Sequence, residues 1–263
     1  MTTRVLITGA TGNLGRKATA ALRARNDIEI VDLGEADLSI YDIAWARAFE
    51  GVDVVLHLAA DPSPTATWRA ALSLNVDLSL NVLRAATAGG VKRFVFASSN
   101  WVLAGYRFTD ELLTADTTPR PVNVYGMSKL MIERAGVVAA ASGEMGFLAL
   151  RIGWCQPGEN RPGPHMGFGR WGQELWLSND DWAHAAEQAC TAPFEGVAVV
   201  NVMSRNAGSR WELTESERLI GFRPQSTHTP RLTPRRRLTD AGARLRDTIF
   251  PVRLEAPLFG ARW

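Results

Sequence analysis

A short apolar run, Val5-Leu-Ile-Thr8, leads directly into Gly9-Ala-Thr-Gly-Asn-Leu-Gly15 and then into an amphipathic stretch reaching Arg25. Three glycines spaced by three, set between a strand and a helix, leave few folds open. Gly9 can make the tight turn, Gly12 lets backbone approach a pyrophosphate, and Gly15 lets the helix pack closely on the sheet. Thr11, Asn13 and Leu14 complete the loop. The exposed backbone N–H groups and the positive end of the helix dipole then favour phosphates. A purely structural turn is the competing reading. The position between the first strand and the first helix favours dinucleotide binding.

The rest of the first half keeps the same rhythm. Ile28–Asp32, Val52–His57, Arg93–Ala97 and Phe147–Arg151 read as strands. Trp68–Ala88 reads as a helix because Leu72, Val76, Leu80 and Leu83 recur at spacings of three and four, and Val124–Ala141 reads as a second long helix. This β-α-β-α order implies an α/β fold: a doubly wound parallel sheet with helices on both faces and a ligand crevice at the carboxyl ends of its strands. After Arg151 the rhythm breaks. Residues 155–172, rich in Gly, Pro and Arg, read as a long loop, Val197–Val202 as a further strand, and the remainder as mixed structure ending in an irregular tail. We therefore expect a dinucleotide-binding core over residues 1–153 and a small substrate-binding portion over 154–263 within one domain. The 46% hydrophobic content of the 263 residues suits one well-buried core.

Composition excludes several classes. A formal charge of +2 is too small to imply nucleic acid, and the late arginines (Arg231, Arg235, Arg236, Arg237, Arg244 and Arg246) read as a solvated face. Cys155 and Cys190 form no pattern and suit buried thiols in a reducing, cytoplasmic compartment. The first residues enter a strand without a signal-like apolar stretch, and no run approaches the ~18–20 apolar residues that cross a bilayer. His57, His165, His184 and His228 have no metal-ligand spacing, so no metal is expected. His165 reads as an exposed or hydrogen-bonded residue, and Asp180-Asp181 as a helix start.

Tyr125-Gly-Met-Ser-Lys129 is the strongest chemical signal in a chain with three tyrosines. The i, i+4 spacing puts phenol and ammonium on one helix face, where the cation is expected to lower the tyrosine pKa and make it a general base or acid. Ser99, in Ala97-Ser-Ser-Asn100 at the end of the fourth strand, is placed to hydrogen-bond a substrate oxygen, and we prefer it to Ser98. Asp32, ending the second strand, can accept from an adenosine ribose. Asp37 and Leu38 either line the adenine pocket or belong to a turn. Trp171, Trp176 and Trp182 read first as core, and alternatively as a wall stacked on a ligand ring.

Together these residues resemble the extended short-chain dehydrogenase/reductase superfamily, the NAD-dependent epimerase/dehydratase family. The likeness also takes in His57-Leu-Ala-Ala60, Asn75 within Leu74-Asn-Val, and Leu150-Arg-Ile-Gly153. It spans roughly the first 155 residues and implies a Rossmann fold and NAD as cofactor. Leu58, Ala59, Ala60 and Asn75 would then join the cofactor set, and Lys129 would also hold the nicotinamide ribose. Within the superfamily the chain is most similar to uronate dehydrogenases, through Phe96-Ala-Ser-Ser-Asn100, Cys155 after Arg151-Ile-Gly153, Leu177-Ser-Asn-Asp-Asp181, and Gly221-Phe222 followed by Pro224. That group oxidises the anomeric hydroxyl of a hexuronic acid to an aldonolactone. The candidate substrate contacts are Ser63, Ser99, Asn100, Trp101, Tyr125 and Trp154, with Arg161 or Arg170 to hold a carboxylate. The chain departs from that group in three places: Trp101 stands for a histidine, Trp154 for a serine, and the loop between Gln156 and Leu177 is longer.

The sequence thus points to an oxidoreductase acting through Ser99, Tyr125 and Lys129 on a hydroxyl of a sugar acid or related polyol, less polar than glucuronate. A nucleotide-sugar epimerase or dehydratase, a reductase of a hydrophobic natural product, and an NAD-binding sensor are the alternatives. A small-molecule substrate is the expected partner, with neither nucleic acid nor membrane, and self-association is left open. Asp32 yields a cofactor expectation. Its carboxylate would repel the 2′-phosphate of NADP, and Leu33 and Gly34 supply no compensating cation. We expect kcat/KM to favour NAD by at least about tenfold, equivalent to ~1.4 kcal/mol. Equal values for NAD and NADP would show that the carboxylate points elsewhere.

Overall fold

The computed structural model describes residues 2–249. Six parallel strands form one sheet in the order β2-β1-β3-β4-β5-β6. They are β1 (Thr3–Thr8), β2 (Ile28–Val31), β3 (Val54–His57), β4 (Arg93–Ser99), β5 (Gly146–Ile152) and β6 (Val197–Val202). The central strands β3 and β5 are buried along their whole length. Burial on both faces requires apolar residues at successive positions rather than alternate ones. This is the Rossmann-like architecture expected. The chain runs from β1 outward to β2 and returns to the other side of β1 at β3, with Thr8 beside His57 in register. Ligands of open α/β sheets bind at such a switch point.

Two apolar layers cover the sheet. One holds α1 (Asn13–Arg23) and α7 (Asn179–Thr191), with Ala18, Leu22, Trp182, Ala185 and Ala189 packed against Val5, Leu56 and Leu150. The other holds α2 (Ile43–Ala46), α4 (Leu78–Ala88) and α5 (Val124–Ala141), with Trp45, Val82, Leu83 and Ile132 against Leu6, Val55 and Phe94. The helix read from Trp68 to Ala88 is interrupted. It consists of α3 (Trp68–Ala71), a π-helical stretch Leu72–Asp77 and α4. Leu72 and Leu80, two of the periodic positions, are accordingly exposed, while Asn75 is buried. A π turn rotates the following residues relative to α-helical phase, which apolar periodicity alone does not reveal.

Trp171, Trp176 and Trp182 are buried. The stretch read as loop over 155–172 ends in a short helix, α6 (Gly169–Glu174). The mixed C-terminal region contains α8 (Thr214–Ile220) and α9 (Pro234–Ile249). The irregular tail expected at the end of the chain lies outside the described residues. Arg231, Arg235, Arg237 and Arg246 are exposed as expected. Arg236 and Arg244 instead reach back, to the Met166 carbonyl and to Asp110. Both cysteines are buried thiols. Ser178 caps α7 by accepting from the Asp181 N–H, so Asp180 and Asp181 occupy its first turn. Among the described residues no helix is long and apolar enough to cross a membrane.

One buried ion pair fastens α5 to the sheet. Arg151 on β5 donates from Nε and Nη2 to the two oxygens of Glu133, each at 3.0 Å, and Ser98 Oγ donates to Glu133 at 2.5 Å. The Arg151 and Glu133 side chains are only 3% and 4% exposed. Removing one member strands the other charge. We expect Glu133→Ala to lower unfolding stability by about 3–5 kcal/mol, and Glu133→Leu with Arg151→Met to recover most of it. Urea denaturation at pH 7 checks both. A loss under about 1 kcal/mol for the single change would mean that water reaches the pair.

Candidate active site

The glycine loop lies at the switch point. Gly9 has φ of +70°, and a Cβ there would come within 2.7 Å of the Ala59 nitrogen. A Cβ at Gly15 would stand 2.1 Å from the Gly9 carbonyl oxygen. The loop is thus wedged between the exit of β3 and the start of α1, where no side chain fits. Gly12 caps α1 without any side-chain bond, and the first backbone bond of the helix runs from Arg16 N–H to the Gly12 carbonyl. Gly12 N–H donates to the Gly9 carbonyl at 3.0 Å, the first N–H groups of α1 have no partner within the helix, and Thr11 and Gly12 are exposed. A dinucleotide pyrophosphate fits this cradle. The Asn13 side chain donates to the Cys155 carbonyl, and the Leu14 carbonyl accepts from Trp182 Nε1. These bonds fix the helix while its N-terminal backbone faces the ligand side.

Asp32 is exposed just beyond β2, with Oδ1 accepting from Gly34 N–H at 2.9 Å. Asp37 accepts from both the backbone and hydroxyl of Ser39, as a turn residue does, and Leu38 is buried in the core. Leu58, Ala59 and Ala60 follow β3 directly, and Ala59 N–H donates to Thr8 Oγ1. His57 is pinned at both ring nitrogens, by Thr8 at 2.6 Å and Ser79 at 2.9 Å. Burial holds its pKa down at about 3, with Lys129 adding to the effect, so it is neutral. Asn75, on the π-helical stretch, accepts from Asp61 N–H and donates to Ser128 Oγ, which in turn donates to the Tyr125 carbonyl. Asn75 is therefore tied to the first turn of α5.

α5 starts where Asn123 accepts from Gly126 N–H at 2.8 Å, and Tyr125 and Lys129 lie in its first two turns. Ser99 lies near enough to Tyr125 to pull on the pKa of its phenol, while Ser99 Oγ accepts from the Trp101 N–H at 3.2 Å. Ser98 is instead engaged by Glu133, to which its hydroxyl donates. Lys129 Nζ lies 5.0 Å from the centre of the Phe96 ring and 5.7 Å from that of Tyr125. The expected lowering of the tyrosine pKa is not what this arrangement produces. Burial pushes the phenol up, Ser99 pulls the other way, and Asp61 adds to the rise. Burial also pushes Lys129 down to about 8. Desolvation penalises both charged forms, and here it outweighs the attraction inferred from helix spacing.

The region expected to face a substrate is aromatic. Asn100 donates to the Arg151 carbonyl at 3.0 Å, and its Oδ1 is buried without a partner. Trp101 N–H donates to Ser99 Oγ at 3.2 Å, and a Cβ on Gly126 would meet the Trp101 carbonyl at 2.5 Å. Trp101 thus spans Ser99 and the start of α5. Trp154, past the end of β5, is held in register by Trp154 N–H to Leu175 O and Leu177 N–H to Trp154 O. Phe168, which the sequence reading passed over, lies between them. Its ring centre is 5.0 Å from that of Trp101, edge-on, and 5.9 Å from that of Trp154. It has φ of 61° and ψ of 23°, a left-handed conformation that costs a non-glycine residue about 1–2 kcal/mol. The one legible signal is an aromatic between two glycines, Gly167 and Gly169. Ser63 sits in a turn below Asp61, bonded to Thr65.

The two candidate arginines are both paired. Arg161 meets Glu159 at 2.7 Å, with both side chains more than three-quarters exposed. Arg170 donates to Glu174 at 2.7 Å, and Glu174 is buried at 3% with Arg210 on its other oxygen at 3.6 Å. Glu174 and Arg210 were also missed, because nothing local marks a glutamate as buried.

Residues 5–155, more than half of the chain, match the model of the NAD dependent epimerase/dehydratase family. The L-arabinose 1-dehydrogenase (NAD(P)(+)) of Haloferax volcanii is 34% identical, over 84% of this chain and 96% of its own length. The solved glucuronic acid dehydrogenase from Chromohalobacter salexigens superposes with a TM-score of 0.71 at 29% identity, over 86% of each chain. A uronate dehydrogenase variant from Agrobacterium tumefaciens, complexed with NAD, superposes with a TM-score of 0.69 at 26% identity, again over 86% of each.

Lys129 gives this site a measurable pH signature. Its folded pKa of about 8 lies below the ordinary lysine value. Between those two pH values the unfolded chain binds more protons than the folded one, so the cost of burying the cation declines as pH rises. We expect Lys129→Met to be more stable than the parent at pH 7 in urea without cofactor. The gap should narrow steadily from pH 8 to pH 10. A gap independent of pH would show that Lys129 titrates normally.

Proposed function

The chain belongs to the NAD-dependent epimerase/dehydratase family, and on that premise we propose that it oxidises the anomeric hydroxyl of a neutral aldose to the lactone. It is an NAD-dependent oxidoreductase of the sugar-dehydrogenase kind. The observation that carries the neutral substrate is the commitment of Arg170. A uronate carboxylate needs a cation, ideally a bidentate guanidinium. Arg170 donates from Nε to Glu174, buried beneath it, so its charge is balanced before any substrate arrives, and drawing it away would leave the glutamate only its longer contact with Arg210. An undercompensated buried carboxylate is strongly unfavourable. Arg161 is an exposed surface pair, of the kind that contributes little. The likeness to an enzyme named for L-arabinose, a sugar without a carboxylate, supports the same reading.

In the proposed reaction Ser99 Oγ orients the C1 hydroxyl, and Tyr125 Oη takes its proton. NAD, when bound, supplies the acceptor for the hydride leaving C1. Lys129 holds the cofactor ribose and, in its charged form, favours the phenolate. Because burial raises the phenol in this structure, the base is formed within the loaded site rather than before it. Trp101 and Trp154 exclude water from the exit of β4 and β5.

The test is a panel of pentoses, hexoses and hexuronates followed by NADH absorbance. We expect an aldose to exceed either hexuronate in kcat/KM by at least about tenfold, the equivalent of one charge-assisted contact. Tyr125→Phe should reduce kcat by about 10²–10⁴ while cofactor binding survives. A hexuronate as the best substrate would sink the neutral-sugar reading. Cofactor left oxidised through full turnover would point instead to an epimerase.

A further inference from the structure

We propose that Phe168 is a specificity-determining residue, held by α9 as the closing panel of an aromatic wall beside Ser99 and Tyr125. It selects aldoses that present an apolar C–H face and carry hydrogen or methyl, rather than a charged group, at the end remote from C1. This rests on the proposed aldose reaction and names the substrate class within it. Pentoses and 6-deoxyhexoses fit the description.

Three observations converge on Phe168. The first is its conformation. A phenylalanine in the left-handed region persists only where its surroundings impose it. The second is what imposes it. Arg236 on α9 donates to the Met166 carbonyl at 2.7 Å, and Asp240 on α9 accepts from the Arg170 N–H at 3.0 Å. The residues two before and two after Phe168 are thereby fixed by one helix. A Cβ on Gly169 would lie 2.0 Å from an Asp240 oxygen, so the glycine is needed for that approach. The third is where the ring is held. It stands edge-on to Trp101, whose N–H is bonded to Ser99, and edge-on to Trp171 at 6.0 Å. Trp154 lies against the same loop, at 3.4 Å from where a Gly167 Cβ would be.

A ring that is fully part of a core has no reason to be exposed. Phe168 keeps 44% of its surface in solvent although three indoles, Trp101, Trp154 and Trp171, stand around it. An exposed ring fixed in a strained backbone is a preformed platform. Aromatic faces stack on the apolar C–H faces of sugars, and a rigid ring does so at small entropic cost. A carboxylate or phosphate against the same surface would be desolvated without a partner.

The experiment compares the full-length parent with Phe168→Gly and Asp240→Ala. Glycine accepts this φ freely, so Phe168→Gly removes the ring without straining the loop. For a pentose we expect KM to rise about tenfold with kcat within threefold, the scale of one lost apolar contact. The pentose preference over a hexose bearing a free C6 hydroxyl should fall by a similar factor. Asp240→Ala, which removes the hold on the loop but no aromatic ring, should shift KM the same way by roughly threefold, as expected for one lost hydrogen bond. Unchanged KM ratios between sugars in Phe168→Gly would overturn the proposal, as would equal losses for every sugar. Thermal denaturation of both variants identifies the latter as general unfolding. Sugar-induced quenching of tryptophan fluorescence gives a second readout independent of turnover. Quenching in the parent that weakens in Phe168→Gly supports the wall even if no aldose is oxidised, a result that would sink the reaction but not the binding surface. No quenching in the parent by any aldose would overturn the wall itself.

Discussion

The Glu133 carboxylate is the contact on which the geometry of the site most depends. It accepts from Arg151 on β5, twice, and from Ser98 on β4, and it belongs to α5. Three elements therefore meet at one buried charge pair. β4 ends one residue later at Ser99, α5 carries Tyr125 and Lys129 eight and four residues earlier, and β5 runs on to Trp154. A buried ion pair is weak evidence for stability, because desolvation offsets most of its attraction. Its bidentate geometry is nevertheless directional, and it fixes how far α5 slides along the sheet. The approach of Tyr125 to Ser99 depends on that placement, since the two sit on the two elements that the pair ties together.

A second constraint acts from the other side. A third apolar cluster, separate from the two layers on the sheet, unites Leu103, Leu113, Trp171, Leu175, Met203 and Trp211, with Trp101 and Trp154 at its edge. Its members come from segments between residues 101 and 213, and the loop above it is held by α9. The glycine-loop side of the crevice is thus built by backbone and glycine, and the side proposed for substrate by indoles and long-range side-chain bonds. This division agrees with the chemistry on each side. A pyrophosphate is recognised by N–H groups that any residue can supply, whereas a particular sugar must be recognised by side chains.

Charge burial corrects two sequence-level expectations in the same way. Tyr125 and Lys129 share a helix face as their spacing requires, yet desolvation raises the phenol and lowers the amine. Arg170 sits near the aromatic wall, yet it answers to Glu174. In both cases the sequence reading gave a charged or ionisable group its most familiar partner. Burial decides which partner a charge accepts, and burial is a property of the folded chain.

The sequence by itself determined the sheet, its order of elements and the glycine loop between the first strand and the first helix. Each of those follows from local signals: two-sided burial of short strands, the glycine loop at a strand-to-helix junction, and two residues one helical turn apart. The strand boundaries fell within a residue or two, and Val124–Ala141 was read at its observed limits. Only the tertiary structure decided the π turn that buries Asn75, the pairing of Arg151 with Glu133 over eighteen residues, and the hold of α9 on Phe168 across some seventy. Those contacts join residues whose neighbours in sequence say nothing about them. Local propensity is encoded in a few adjacent side chains, but the partner of a buried charge or a strained ring is chosen by which distant segments the completed sheet brings within reach.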